Sequence, residues 1–285
     1  MSPYHRPTTL QEALALLASP GLCIAAGCTD LFPATGARAL NGPVLDITAI
    51  AALRGIKTEG DDVRIGATTT WADILRTDLA HGFDMLKQAA REVGSVQIQT
   101  SGTLAGNICN ASPAADGGPC LLALEAEVES AALAATRRVP LAEFITGVRQ
   151  TALCPGEMVT AILIPRSQTG GDSRFIKLGA RAYLVISIAM VAARLEIENG
   201  HIRAAALAVG ACSAVAQRLP RQEAALIGAP ADAGLIELVE ATLITPDLAP
   251  IDDLRADANY RAEASVELIR RAVKDLVTRD AEAAA

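Results

Sequence analysis

Residues 101–119 read Ser-Gly-Thr-Leu-Ala-Gly-Asn-Ile-Cys-Asn-Ala-Ser-Pro-Ala-Ala-Asp-Gly-Gly-Pro, with a single charge, Asp116, among small and hydroxyl-bearing residues. Few side chains stand between this backbone and a ligand. Main-chain N–H groups in such a stretch suit a polyanion such as a pyrophosphate. A second segment, Ala25-Ala26-Gly27-Cys28-Thr29-Asp30, has the same character. Two backbone-lined turns far apart in one chain point to one large, elongated ligand.

Other chemistries find little support. No two glycines stand two residues apart, so the dinucleotide fingerprint Gly-x-Gly-x-x-Gly is absent. The P-loop, Gly-x-Ser-x-Gly and His-Glu-x-x-His patterns are absent too. The six cysteines, Cys23, Cys28, Cys109, Cys120, Cys154 and Cys212, include no Cys-x-x-Cys pair, and His5, His81 and His201 are scattered. That is poor material for zinc or an iron–sulfur cluster. The thiols read as buried and reduced, and the histidines as surface residues. Cys109 lies inside the first stretch with no partner thiol apparent.

The elements that must position the two turns are legible from periodicity and punctuation. Thr9-Leu10-Gln11-Glu12 is a capping-box pattern opening a helix to Ala18. Leu22–Ala25 reads as a short buried strand, and Asp30–Ala39 as the helix after the first turn. Val44–Ile47 is strand-like. Val63–Ile65 pairs with the segment around Gly55–Thr58 as a hairpin. Thr70-Trp71-Ala72-Asp73 caps a short helix, and Asp84–Val93 is a further one. Cys120–Ala126 is helical, with Asp116 and Pro119 as start signals. Glu127–Leu133 and Met158–Ile164 are strands. Ser167–Ser173 is the best boundary between domains. Beyond it, Arg174–Leu178 and Val185–Glu198 read as strands. Asn199-Gly200 marks a hairpin turn and Ile202–Ala211 the returning strand. The chain is helical from Pro220, and Val266, Ile269, Val273 and Leu276 share one face of the last helix. The acidic, Ala-rich tail is expected to fray.

At 285 residues the chain can hold two domains and a real core. Its net charge of −7, with no Lys/Arg run longer than two, argues against nucleic acid or an anionic membrane as partner. The N-terminus has no secretory h-region, and the most apolar run, Ala182–Ala193, is too short to span a bilayer and reads as a buried strand. A soluble, cytoplasmic protein is expected.

The turns carry a family resemblance. Ala26-Gly27-Cys28-Thr29-Asp30-Leu31 resembles the Ala-Gly-Gly-Thr-Asp-Leu turn in the FAD-binding medium subunit of the molybdenum hydroxylases, the family of xanthine dehydrogenases and carbon monoxide dehydrogenase. Thr103-Leu104-Ala105-Gly106-Asn107 is similar to that family's second turn, Thr-Ile-Gly-Gly-Asn, and Cys109–Asp116 matches its continuation. Pro155-Gly156-Glu157 and Ile164-Pro165 fit the end of the flavin domain. Phe175-Ile176-Lys177, Arg181 and Asn259-Tyr260-Arg261 fit the C-terminal domain. The resemblance thus covers nearly the whole chain. Cys28 and Ala105 each replace a glycine of the pattern, which predicts slightly altered turns. The Cys-rich insertion of the hydroxybenzoyl-CoA reductase branch is missing.

What the resemblance implies is an α+β chain. A two-part FAD-binding domain of the vanillyl-alcohol-oxidase/p-cresol-methylhydroxylase type would span 1–168. A smaller C-terminal domain of antiparallel sheet and helices would span 172–280. FAD would be bound non-covalently. Residues Ala25 to Leu31 (Ala25, Ala26, Gly27, Cys28, Thr29, Asp30, Leu31) would hold its pyrophosphate from one side, or Thr29 or Asp30 simply cap a helix. Gly102, Thr103, Ala105, Gly106 and Asn107 would meet the other side. Asp116 would accept from a ribose hydroxyl or the adenosine part, or merely cap a helix. Lys177 would face the flavin ring, or be a solvated strand lysine. Val93 and Val159 would pack near the ring or belong to the core. The implied role is electron transfer from [2Fe-2S] clusters of a small subunit through FAD to an external acceptor. Substrate chemistry would occur at the molybdenum cofactor of a large subunit, within a dimer of heterotrimers. A self-sufficient FAD oxidase or dehydrogenase, and a structural subunit that has lost FAD, are the alternatives.

Overall fold

The computed structural model describes residues 3–36, 40 and 42–284. The chain opens with β1 (Tyr4–His5), α1 (Leu10–Leu17), β2 (Cys23–Ala25), α2 (Leu31–Thr35) and β3 (Val44–Asp46). The three strands form a parallel sheet in the order β1-β3-β2. Thr9 caps α1 by accepting from the Glu12 N–H at 3.3 Å. The Glu12 carboxylate reaches back to the Thr8 N–H at 3.1 Å, one residue short of a true capping box. Within β2 only Ala25 is buried. The helix expected to reach Ala39 ends at Thr35, because Gly36 turns left-handed at φ 59°. Residues 37–39 lie outside those described.

The second layer begins with the hairpin β4 (Ile56–Glu59) and β5 (Asp62–Gly66). Helices α3 (Trp71–Arg76), α4 (Asp84–Glu92), α5 (Val96–Ser101), α6 (Leu104–Asn110) and α7 (Gly117–Ala123) follow. The chain then returns through β6 (Glu127–Ala131), β7 (Thr136–Pro140), α8 (Leu141–Phe144), the small hairpin β8 (Ile145–Gly147) and β9 (Gln150–Thr151), and β10 (Met158–Pro165). The five-stranded antiparallel sheet runs β4-β5-β10-β6-β7. Its central strand β10 is buried from Met158 through Ile164, as expected of a short apolar run bounded by turn residues.

The third layer is the antiparallel sheet β11 (Asp172–Leu178), β12 (Ala189–Glu198), β13 (His201–Gly210) and β14 (Gln217–Arg218), in that order. Asn199 (φ 51°) and Gly200 (φ 72°) form the two-residue turn joining β12 to β13. Helices α9 (Pro220–Leu226), α10 (Ala241–Ile244) and α11 (Ala258–Ala284) complete the chain. Both faces of this sheet are covered. Met190, Ala192, Ala206 and Ala208 join one core with Leu121 of α7 and Ala89 of α4. Val191, Ala193, Leu207 and Val209 join another with Val266, Ile269, Val273 and Leu276 of α11. The period-2 alternation of β12 therefore separates two buried faces, and its sequence reads as a continuous apolar run. The fraying expected of the tail concerns side chains from Asp280 on, outside those described.

The run Ala182–Ala193 is not one buried strand. Residues Arg181–Ile186 form a loop with Tyr183 at 74% and Ile186 at 52% exposure, and β12 starts only at Ala189. Leu184 takes φ 52°, and its carbonyl accepts from the Arg181 guanidinium. That local turn interrupts the extended backbone which hydrophobicity alone predicts. The thiols also differ from expectation. Only Cys120 and Cys212 are buried; Cys23 and Cys28 are half-buried, and Cys109 and Cys154 are exposed.

Candidate functional site

The two turns meet face to face. A Cβ on Gly27 would stand 2.1 Å from the Ser101 carbonyl oxygen and 2.8 Å from the Gly102 Cα. A Cβ on Gly102 would stand 3.2 Å from Thr29 Oγ1. Only glycine allows this approach of backbone to backbone.

The first turn offers donors. Among the described residues, the N–H groups of Gly27, Cys28, Thr29 and Asp30 have no internal acceptor. Neither Thr29 nor Asp30 caps α2, since no side-chain capping bond forms there. Four free donors on a turn suit an anion's oxygens. Cys28 holds the left-handed φ of 58° that a glycine would take without strain.

The second turn is partly satisfied; among the described residues its Thr103 and Ala105 N–H groups have no internal acceptor. The Gly102 N–H donates to Ile98 O at 2.7 Å, Leu104 to Thr69 O at 3.1 Å, and Asn107 to Thr103 O at 3.0 Å. Thr103 caps α6 by accepting from Gly106 N–H at 3.0 Å. The Asn107 side chain accepts from Gly117 N–H at 3.2 Å and so ties α6 to α7. Ala105 lies inside α6, 3% exposed and without positive φ, so its exchange for glycine brings no strain.

Both turns border a cavity of 930 Å³, near the upper end for small-molecule and cofactor sites. Of the residues expected from sequence, the wall includes Ala26, Gly27, Cys28, Thr29, Asp30, Leu31, Thr103, Ala105, Gly106, Asn107, Asp116, Val159 and Lys177, as well as Val93. Ala25 and Gly102 stand behind it. The Ala25 carbonyl accepts from Ile47 N–H, and Gly102 gives room to Thr29.

Asp116 and Lys177 come together. Lys177 Nζ lies 2.8 Å from Asp116 Oδ2, with the two side chains 7% and 8% exposed. Ser187 Oγ donates to Asp116 Oδ1 at 3.0 Å, and Nζ also reaches the Glu92 carbonyl at 3.5 Å. Lys177 is therefore not a solvated strand lysine. Asp116 opens α7 without capping it through its side chain. Burial pushes its carboxyl up from the ordinary value, against the pull of Lys177 and Ser187. Placing Asp116 at the adenosine end of an elongated ligand and Lys177 at its ring end conflicts with their 2.8 Å separation.

Sequence reasoning missed several wall residues. Trp71 is buried under the second turn, its N–H bonded to Gly102 O at 3.1 Å. The capping box at Thr70 marked its helix but not its role. Arg149, at φ 59°, lines the cavity and donates to the Asn110 carbonyl at 3.1 Å. Leu184, Val185 and Ile186 of the exposed loop form part of the wall, hidden in the run read as a strand. Cys109 lines the cavity and is exposed. Among the described residues no cluster of His, Cys, Asp and Glu could hold a metal ion. No described helix is long and apolar enough to cross a membrane.

Comparison with known proteins agrees with this geometry. The family model described as the FAD binding domain in molybdopterin dehydrogenase matches residues 1–167. That of the CO dehydrogenase flavoprotein C-terminal domain matches 174–276. The chain is 30% identical over 277 residues to the carbon monoxide dehydrogenase medium chain of Afipia carboxidovorans, covering 95% of each. It is 30% identical over 276 residues to the glyceraldehyde dehydrogenase medium chain of Sulfolobus acidocaldarius, covering 96% of this chain and 97% of that one. Among solved structures, a chain of reconstituted CO dehydrogenase from Oligotropha carboxidovorans superposes with a TM-score of 0.90 at 30% identity, covering 98% of each.

Proposed function

The chain belongs to the FAD-binding medium subunits of the molybdenum hydroxylases, and from that membership we propose how it works within a larger assembly. It is the FAD-binding component of an oxidoreductase. A small partner carrying [2Fe-2S] clusters and a large partner carrying the molybdenum cofactor complete the complex, with two copies of each subunit. Substrate is transformed on the large partner. Bound FAD supplies electron exchange between the clusters of the small partner and an external acceptor. The relatives' designation as medium chains supports such partners. The complex works in the cytoplasm, where the six free thiols stay reduced.

The observation that carries this reading is the meeting of two glycine turns over a 930 Å³ cavity. The free N–H groups from Gly27 to Asp30, with the Thr29 hydroxyl, hold the pyrophosphate. The second turn, at Thr103 and Gly106, gives the surface against which it lies. Val93 and Val159 offer apolar wall to the ring. FAD is held non-covalently.

The test is flavin identity and stoichiometry on natively expressed protein after mild acid release, with iron and molybdenum assayed in the same preparation. One FAD per chain, freed without proteolysis and accompanied by both metals, is expected. A colourless preparation that takes up no added FAD overturns the reading in favour of a structural subunit. Turnover of an organic donor by the isolated chain overturns it in favour of a self-sufficient oxidase.

A further inference from the structure

At one end of the β12–β13 pair, Met190 stands opposite Gly210. Just beyond it lie Ile188 and Ala211, and both lead to the cavity. Ile188 follows Leu184, Val185 and Ile186, which form part of the wall. The Ala211 N–H donates to the Pro113 carbonyl at 2.9 Å, within the stretch whose Ser112, Ala114 and Ala115 form another part. One nitrogen, Nη1 of Arg261 in the first turn of α11, donates to the carbonyls of both Ile188 and Ala211. Its Nη2 donates to the Asp253 carboxylate, which Arg255 also engages. Arg261, Ile188 and Ala211 themselves stand behind the cavity wall.

Stability alone explains this arrangement poorly. Arg261 is 1% exposed and its Nε has no partner. Desolvating a guanidinium carries a cost that well-packed apolar side chains avoid. Ala211 holds a left-handed φ of 61°. Such a residue persists where its surroundings over-determine it, and here both its N–H and its carbonyl are engaged. What a planar, forked cation supplies is fixed spacing between its acceptors. We propose that Arg261 is a positioning residue of the flavin cavity. By tying Ile188 to Ala211 it sets the spacing between the wall at 184–186 and the wall at 112–115, without touching the ligand. The inference rests on the FAD reading above. Lysine at this position keeps the charge but offers a point cation in place of the fork, so the two walls relax and FAD is held less tightly.

The experiment is FAD titration of the flavin-stripped complex carrying wild type, Arg261→Lys, Asp253→Asn or Arg194→Lys, below the melting temperature of each, with visible spectra of the reloaded flavin. Arg194 is the control. It is 3% exposed, donates to the Gly170 carbonyl at 3.1 Å and pairs with Glu196, and none of these three residues borders the cavity. Arg261→Lys is expected to weaken FAD binding about tenfold, the worth of one hydrogen bond to a charged group, and to shift the flavin bands. Asp253→Asn, which loosens the fork, weakens binding by less. Arg194→Lys lowers the melting temperature and leaves FAD affinity as in wild type. Equal losses of affinity in Arg261→Lys and Arg194→Lys give Arg261 a merely structural role and overturn the proposal. Unchanged affinity in Arg261→Lys does the same. Should Arg261→Lys not fold, Asp253→Asn decides, and wild-type affinity there counts against the proposal. A wild-type complex that takes up no FAD defeats the underlying reading instead, and is recognised before any variant is made.

Discussion

Two neighbouring residues show how unequal small exchanges are. Gly27 and Cys28 both belong to the first turn, yet they obey different limits. At Gly27 the limit is space: a Cβ would lie 2.1 Å from the Ser101 oxygen, and backbone cannot swing aside as a flexible side chain can. Gly27→Ala must part the two turns. A loss of about 1–3 kcal/mol is expected from overpacking, together with loss of FAD, checked by denaturant melts and flavin stoichiometry. At Cys28 the limit is conformation. Cys28→Gly removes a left-handed strain of roughly 1–2 kcal/mol, partly offset by the greater freedom of unfolded glycine. A net gain near 1 kcal/mol, roughly 2–4 °C in Tm, with FAD retained, is the expected outcome. A fall in Tm would show that the Cys28 side chain contributes more than its strain removes. Residue types along the chain announced both turns, since small and glycine residues are the currency of close approach. They did not reveal that several of the second turn's donors are internally satisfied, nor that Asp116 meets Lys177. Both depend on contacts between segments distant in sequence, for which local pattern holds no record.

The same division holds for elements. Strands and helices marked by caps, hairpin turns or a one-sided stripe were legible: the Thr70–Asp73 capping box and the Asn199-Gly200 turn both form. The loop Arg181–Ile186 was not, because hydrophobicity cannot tell an apolar strand from an apolar loop shaped by a positive φ at Leu184. The approach to β12 that follows this loop is held by α11. Arg261, 1% exposed, donates to the carbonyls of Ile188 and Ala211 and to Asp253. Arg261→Met leaves two carbonyls without this donor and takes one donor from the Asp253 carboxylate, which keeps those of Arg255. The expected loss is roughly 3 kcal/mol, the low end for breaking a buried pair, because Asp253 keeps contact with water. Urea melts measure it. The pair also carries a pH signature. Burial opposes ionisation of Asp253, but hydrogen bonds from Arg255 and Arg261 outweigh it and draw the carboxyl from 3.8 down to about 2. Its folded value is depressed, so its contribution is complete well above pH 3.8 and is lost as pH falls through 3.8 toward 2. Asp253→Asn should therefore lower Tm near neutrality, and the difference from wild type should shrink steadily over that acid window. A difference unchanged down to pH 2 would mean that charge is not its source.

At the scale of the whole molecule, the change of pattern at Ser167–Ser173 reads as a boundary, and the two family models meet the chain on either side of it. The packing does not stop there. Phe175, Met190, Ala192, Ala206 and Ala208 of the last sheet share one buried cluster with Trp71, Leu86, Leu121 and Phe144 of the preceding part. Ser173 Oγ accepts from Met85 N–H and donates to the His81 carbonyl, both at 2.9 Å. Cutting the chain at the boundary would thus expose one face of the sheet and one side of α4 and α7 to water. An apolar surface of that kind drives association of the wrong sort. It also divides the cavity, whose wall takes Lys177 and Leu184 from one side and Thr29 and Asp116 from the other. Fragments 1–168 and 172–285 expressed separately are therefore expected to aggregate and to bind no FAD, while co-expression restores a folded pair that binds it. Light scattering and flavin release on the three preparations decide the matter. A monodisperse 1–168 fragment holding one FAD would show that the shared core is a contact between self-sufficient domains. The contrary outcome makes the last sheet part of the flavin site's own foundation.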